Sequence, residues 1–283
     1  MTATTTADPP AVARSPGPRR RRRRRWAGRL LPLYVGLVIV YTVIPIAVMI
    51  VFTFNQAPTG RVGFQWLGFT TFWYRHVFAN GDLTAALETS LKVAVLSSLA
   101  SAVLGTPMAL ALARYRYRGK TLTDIVLFAN IAAPSVVVGA SLLAFFLQIN
   151  FPRGLWTILV AHIAFSVAFV VVVVRARVSG LDRSLDRAAA DLGATPWVAF
   201  QKVTFPLILP GIVAGSLLAF AMSIDDLIIT SFVNGQTLTF PLWVYGAVKT
   251  GIPPQVFVMG TLIFLGGVLI AIASSLYARR RAV

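Results

Sequence analysis

The feature that most narrows the folds open to this sequence is a succession of six apolar runs, near residues 31–54, 90–113, 122–147, 155–175, 207–231 and 256–278. Coiled as helices at about 1.5 Å per residue, such runs cross the roughly 30 Å hydrocarbon core of a bilayer. Only 12% of the 283 residues are charged, against about 25% in soluble domains. The mean hydropathy is +0.77. In lipid every backbone N–H and C=O must find a partner inside the protein, and helices achieve this within one segment. The expected fold class is therefore an all-α polytopic membrane protein with six transmembrane helices.

The basic residues orient the runs. With the N-terminus in the cytosol, 21 of the 26 Lys and Arg residues fall on that side, around Arg19–Arg25, Arg114–Lys120, Arg175–Lys202 and Arg279–Arg281. Arg61, Arg75, Lys92, Arg153 and Lys249 remain outside. Cytosolic loops carry such an excess, so a multi-pass protein of the plasma membrane with both termini cytosolic is expected. The net charge of +17 is then a topology signal. The seven consecutive arginines Arg19–Arg25 read as a disordered arm for anionic lipid headgroups, not nucleic acid. The run that follows is too long for a secretory signal and lacks a small-residue cleavage site.

The connections differ in kind. Residues 55–89 combine Asn55, Pro58 and Gly60 with an aromatic series, Trp66, Phe69, Phe72, Trp73 and Tyr74, which predicts an interfacial helix. Residues 232–255 predict a turn at Asn234-Gly235, a short half-buried helix and a stop at Pro253-Pro254. Thr106-Pro107 and Ala133-Pro134 lie inside spans two and three and should kink them.

One cytosolic connection is more ordered than a linker needs to be. Ser184 or Asp182 can N-cap a helix running to Leu192, with Leu185, Ala188, Ala189 and Leu192 on one face. Gly193 stands where a left-handed C′ residue is wanted. Thr195-Pro196 restarts a helix as N-cap and N1 proline, with Trp197, Phe200 and Val203 on its apolar side. Pro206 and Pro210 are expected to stop it before the fifth span. Two short helices meeting at a corner form a docking element for another protein.

Catalytic chemistry finds little to work with. There is no cysteine and there are two histidines far apart in sequence, so no disulfide, thiolate site or metal centre is expected. Gly119-Lys120-Thr121 is not a Walker A loop, because its first glycine would have to be position 114, which is Arg114. No G-x-S-x-G, H-E-x-x-H or dinucleotide fingerprint occurs. Nothing in the sequence nominates a catalytic site, so a non-catalytic role is expected. Asp225 and Asp226, by contrast, fall within the fifth run, in the outer half of the bilayer. Carboxylates there are costly unless they face water, a partner or a cation. Adjacent helical residues diverge by about 100°, so the two cannot face one way. Either at least one lines a polar pathway for a cationic solute, or they make a polar contact, for example to Lys249 or Lys92. Asn130, Ser135, Ser166 and Ser223 are weaker pore candidates, and His162 reads as a satisfied structural residue.

The segment Arg187–Pro206, RAAADLGATPWVAFQKVTFP, resembles the cytoplasmic loop signature of binding-protein-dependent ABC importer permeases of the MetI-like, type I class. That signature is E-A-A, three residues, G, nine residues, then I-x-L-P. Ala188, Ala189, Gly193 and Pro206 match in register, and Val203 and Phe205 are conservative replacements. Arg187 stands where the family usually has Glu, and the adjacent Asp186 points elsewhere on the helix. SIDDLIITSFVNG and the following LTFPLWVYGAVKTGIPPQV are similar to the second permease subunit of spermidine/putrescine importers, with Ser223–Asp226, Pro241–Tyr245 and Val248–Pro254 in the family's order.

The resemblance implies a MetI-like permease domain over 86–276, with a basic tail at 1–29, an added span and outer loop at 30–85, and a second basic tail at 277–283. It implies a permease subunit carrying spermidine or putrescine inward, by alternating access driven by ATP and Mg bound to a separate ATPase dimer. Arg187, Ala188, Ala189, Gly193, Val203 and Pro206 would form the ATPase-docking loop. A second homologous permease and an extracytoplasmic solute-binding protein would complete the assembly. An importer permease for another solute, ferric ion or an organic ion, and a stand-alone secondary transporter are the competing readings.

Overall fold

The computed structural model describes residues 24–63, 65–182 and 184–280, with side chains between 31 and 274. The arginine run up to residue 23, Arg183 and residues 281–283 lie outside them. The chain forms two compact units, Met1–Val51 and Phe52–Val283. Helix α1 (Arg24–Phe52) accounts for the described part of the first, and its Leu31–Phe52 stretch is long and apolar enough to cross a membrane.

The second unit opens with α2 (Phe72–Arg75) and α3 (Gly81–Arg114). The aromatic series therefore yields a single helical turn where a full interfacial helix was expected. Polar bonds explain why. Asn55 Nδ2 donates to Gln65 O at 2.7 Å, its Oδ1 accepts from Leu67 N at 2.8 Å, and Trp73 Nε1 donates to the Asn55 backbone O at 3.0 Å, so one buried residue, through side chain and carbonyl, ties the segment into a loop. Helix α3 starts at Gly81, well before the expected 90, because Asn80 caps it by accepting from Leu83 N at 3.0 Å. It continues through Pro107.

Next come α4 (Lys120–Ala132) and α5 (Ser135–Gln148), bent by 108° at Ala133-Pro134. They lead into α6 (Leu155–Ser179). Together the bent pair is apolar and long enough to count as one broken crossing. Near the end of α6, Arg175 pairs with Asp124 of α4; midway, Asn130 Nδ2 donates to Ala164 O at 3.0 Å; near the start of α6, Ile158 shares a buried cluster with Phe146 of α5. Contacts from both halves of the pair thus fall along α6, and the described residues hold five single apolar spans, or six with the bent pair taken as one.

After α6 the chain forms α7 (Ser184–Asp191), α8 (Pro196–Ala199), a π-helical turn at Phe200–Thr204, and α9 (Phe205–Asp225). Pro206 and Pro210 do not stop the corner helix: Pro196–Asp225 is a continuous 30-residue apolar helix. A π turn precedes Pro206. Phe205 N–H bonds Phe200 O five residues back, so the helix is locally widened where the Pro206 ring enters it. The fifth span ends at Asp225, short of 231, and α10 (Ile228–Val233) is a separate short helix. The turn at Gly235 (φ +59°), α11 (Phe240–Ala247) and α12 (Pro254–Arg280) follow as expected.

The core is a three-helix stack in which α3 and α6 run parallel and α9 antiparallel. Its register is readable turn by turn. At one level Ser223 bonds both Ser97 and His162. Two turns along, Gly105 and Gly215 face Val170, where added β-carbons would lie 3.0 Å from its Cγ1 and 3.3 Å from its Cα. One turn further, a β-carbon on Gly211 would lie 2.8 Å from Arg177 Cβ. Small residues let the backbones approach where lipid supplies no hydrophobic drive between helices. Ala109, Ala168, Val170, Val171, Val174 and Ala219 are fully buried in this stack.

Candidate functional site

Two places combine unusual exposure with polar chemistry: the corner at one end of the stack and the α9–α10 junction at the other.

The corner forms from local rules. Asp182 Oδ1 accepts from Ser184 N at 2.9 Å and starts α7. That bond holds the Asp182 carboxyl below the usual carboxylate range, so this cap is intact at neutral pH and lost only on strong acidification. At the other end Ala194 N bonds Ala189 O (3.0 Å) and Gly193 N bonds Ala190 O (2.9 Å), the Schellman pattern, with Gly193 at φ +80°. Thr195 Oγ1 caps α8 at Val198 N, 3.4 Å, and Pro196 is N1.

The corner is amphipathic the wrong way round for an isolated chain. Leu185, Ala188, Leu192 and Trp197 face outward, Leu192 being 90% exposed and Trp197 65%. Arg187, Gly193 and Pro206 are also exposed, and Ala189 and Val203 are half-buried. A polar junction lies on the inward side. Asp186 Oδ2 lies 2.5 Å from Arg114 Nη1 at the end of α3, and its Oδ1 accepts from Thr204 Oγ1 at 2.9 Å. The carboxylate at 186 thus has an ion pair of its own, one position before Arg187. Arg114 and Thr204 carry no signal in the sequence as site residues; Arg114 bears there only on topology and on the absence of a Walker A loop.

At the opposite end Asp225 and Asp226 part company, as their spacing requires. Asp225 is exposed and makes no hydrogen bond or ion pair among the described residues. Asp226 turns inward and its carboxylate caps α10, accepting from Thr230 N (2.8 Å), Thr230 Oγ1 (2.9 Å) and Ile229 N (3.4 Å). His162 lies beside it, Nε2 3.4 Å from Asp226 Oδ2 and 2.9 Å from Thr230 Oγ1, while Nδ1 shares a 2.6 Å hydrogen bond with Ser223. Ser97 Oγ donates to Ser223 at 3.0 Å. His162 is a satisfied buried residue. The contact with Lys92 or Lys249 does not form: Lys92 pairs with Glu88, and Asp226 has His162. Asn130 donates to a backbone carbonyl, and the buried Ser166 hydroxyl has no partner among the described residues. No cluster of three metal-ligating residues occurs among the described residues.

Residues 101–283 match the family of binding-protein-dependent transport system inner membrane components. The chain belongs to this family. It is 38% identical over 254 residues to the spermidine/putrescine transport system permease protein PotC of Escherichia coli K12, covering 89% of this chain and 95% of that one. It is also 38% identical over 248 residues to the putrescine transport system permease protein PotI of the same organism, covering 85% and 86%. A Haemophilus influenzae PotC is 34% identical over 248 residues, 87% and 95%. Among solved structures, an ABC transporter for import of the acidic polysaccharide alginate superposes with a TM-score of 0.66 at 17% identity, covering 93% and 99%. The MetNI methionine ABC transporter gives 0.59 at 18%, covering 70% and 95%. The MetI-like helical fold expected from the corner signature is therefore the fold of this permease.

Proposed function

We propose that the chain is the permease subunit of an ATP-driven importer that carries polyamines, spermidine or putrescine, inward across the plasma membrane. The observation that carries the reading is the outward apolar face of the corner, a surface built to be covered, on a chain without a P-loop. Arg187, Ala188, Ala189, Gly193, Val203 and Pro206 form the face that docks on the ATPase dimer, which binds ATP and Mg. Because α8, the π turn and α9 are one helix, a push on the corner is delivered directly to the fifth span.

The solute follows from two polyamine permeases, each 38% identical over most of its length. Polyamines are polycations, and Asp225 and Asp226 supply negative charge at the outer end of α9. A second homologous permease and an extracytoplasmic solute-binding protein complete the complex. Anionic lipid meets Arg19–Arg25, both termini are cytosolic, and the positive-inside bias supports that orientation.

The test is co-purification from mild detergent followed by reconstitution. The permease should bring an ATPase and a second permease, and vesicles containing all components should take up labelled spermidine or putrescine only with ATP inside the ATPase compartment. Uptake by this chain alone would establish a stand-alone carrier; preference for ferric ion would overturn the solute.

A further inference from the structure

The ion pair beneath the corner gives it a second connection to the membrane helices, one that covalent continuity does not supply. Arg114 is the last residue of α3, Asp186 lies in the first turns of α7, and Thr204 closes the π turn that leads into α9. Their polar atoms meet at one point: Arg114 Nη1 to Asp186 Oδ2 at 2.5 Å, Thr204 Oγ1 to Asp186 Oδ1 at 2.9 Å, and Arg114 Nη1 to Thr204 Oγ1 at 3.4 Å. Thr204 is buried, and the Arg114 and Asp186 side chains are 21% and 32% exposed. The surroundings are open. A cleft of about 370 Å³ lined by Leu110, Tyr115, Ala190, Ala194 and Phe200 lies between the corner and α3 beside this junction. The corner is therefore joined to α3 by a charged tie across a gap, in contrast to the close-packed interior of the stack.

We propose that Asp186 is a positioning residue of the transport cycle: with Arg114 and Thr204 it ties the corner to the end of α3, so that displacement of the corner moves α3 together with α9. The inference rests on the corner being the ATPase-docking element. A continuous helix alone links the corner to α9 and not to α3. The tie makes the two move as a pair, and α3 and α9 are also the helices joined at the far end through Ser97 and Ser223. It accounts as well for a corner whose acidic side chain points into the protein at 186 while Arg187 faces out.

The experiment uses the complete complex in proteoliposomes and reads polyamine uptake per ATP hydrolysed, a ratio that simple loss of protein does not move. Asp186→Asn and Arg114→Asp should each lower that ratio about ten-fold, within the range by which residues linking two sites alter coupling. The exchanged pair Asp186→Arg with Arg114→Asp should recover at least half of it, which distinguishes a tie from a merely structural contact. A wild-type ratio in Asp186→Asn, or no recovery in the exchanged pair while it inserts and assembles, overturns the proposal. Failure of the docking reading has a separate signature: Leu192→Asp would then co-purify with as much ATPase as the wild type.

Discussion

Asp225 and Asp226 are neighbours in sequence with opposite situations. Asp226 is enclosed by two backbone N–H groups, the Thr230 hydroxyl and His162, so Asp226→Ala strands several donors. It should cost about 3 kcal/mol, the upper end for unsatisfied buried groups, read as a lowered melting temperature in detergent. Asp225→Ala removes no bond and should leave the melting temperature unchanged. In transport, both Asp225→Asn and Asp226→Asn should reduce polyamine uptake, and wild-type uptake in both would contradict a role for this end of α9 in the solute path. The cost of burying adjacent acids could be read from the sequence, and so could their divergence. Their partners could not, because His162 and Ser97 lie far along the chain and only the register of α3, α6 and α9 brings them to Ser223 and Asp226. At the corner, Gly193 has open space around it but a left-handed backbone, so a β-carbon there costs about 1–2 kcal/mol. Gly193→Asp, which adds charge to the docking face, should insert normally yet lose ATPase co-purification and uptake, whereas Gly193→Asn should retain both more fully.

The elements show which sequence signals survive folding. Apolar runs located the spans well because transfer into lipid is a property of each segment by itself. Helix ends were less legible, since they depend on single capping bonds such as Asn80 to Leu83 and on side chains from elsewhere. Proline misled most at the corner, where two prolines read as stops sit inside one helix. A π turn is invisible to periodicity because it adds one residue without changing composition. It also sets the angular relation of the corner to α9. Deleting the exposed Gln201 would restore α-helical spacing and turn everything before it by about 100° relative to α9, separating Asp186 from Thr204. The variant should reach the membrane at wild-type levels but neither bind the ATPase nor transport. Retained uptake would show that the register of this turn is unimportant.

Three features of the whole molecule are joined through α9: an outward apolar corner, a close-packed stack of α3, α6 and α9, and carboxylates at the far end of α9. The stack is close-packed because its glycines allow backbone contact; Gly215→Leu, whose β-carbon alone would approach Val170 Cα at 3.3 Å, should wedge α9 from α6 and cost about 1–3 kcal/mol as overpacking does. The central claim is that this stack is worked from outside the chain, by an ATPase seated on the corner. It is tested most directly by ATP-dependent spermidine uptake in proteoliposomes containing the complete complex, comparing wild type with Leu192→Asp at the tip of the corner. ATPase binding and uptake should fall together while membrane insertion is unchanged; full uptake in the variant would contradict docking of the ATPase on the corner.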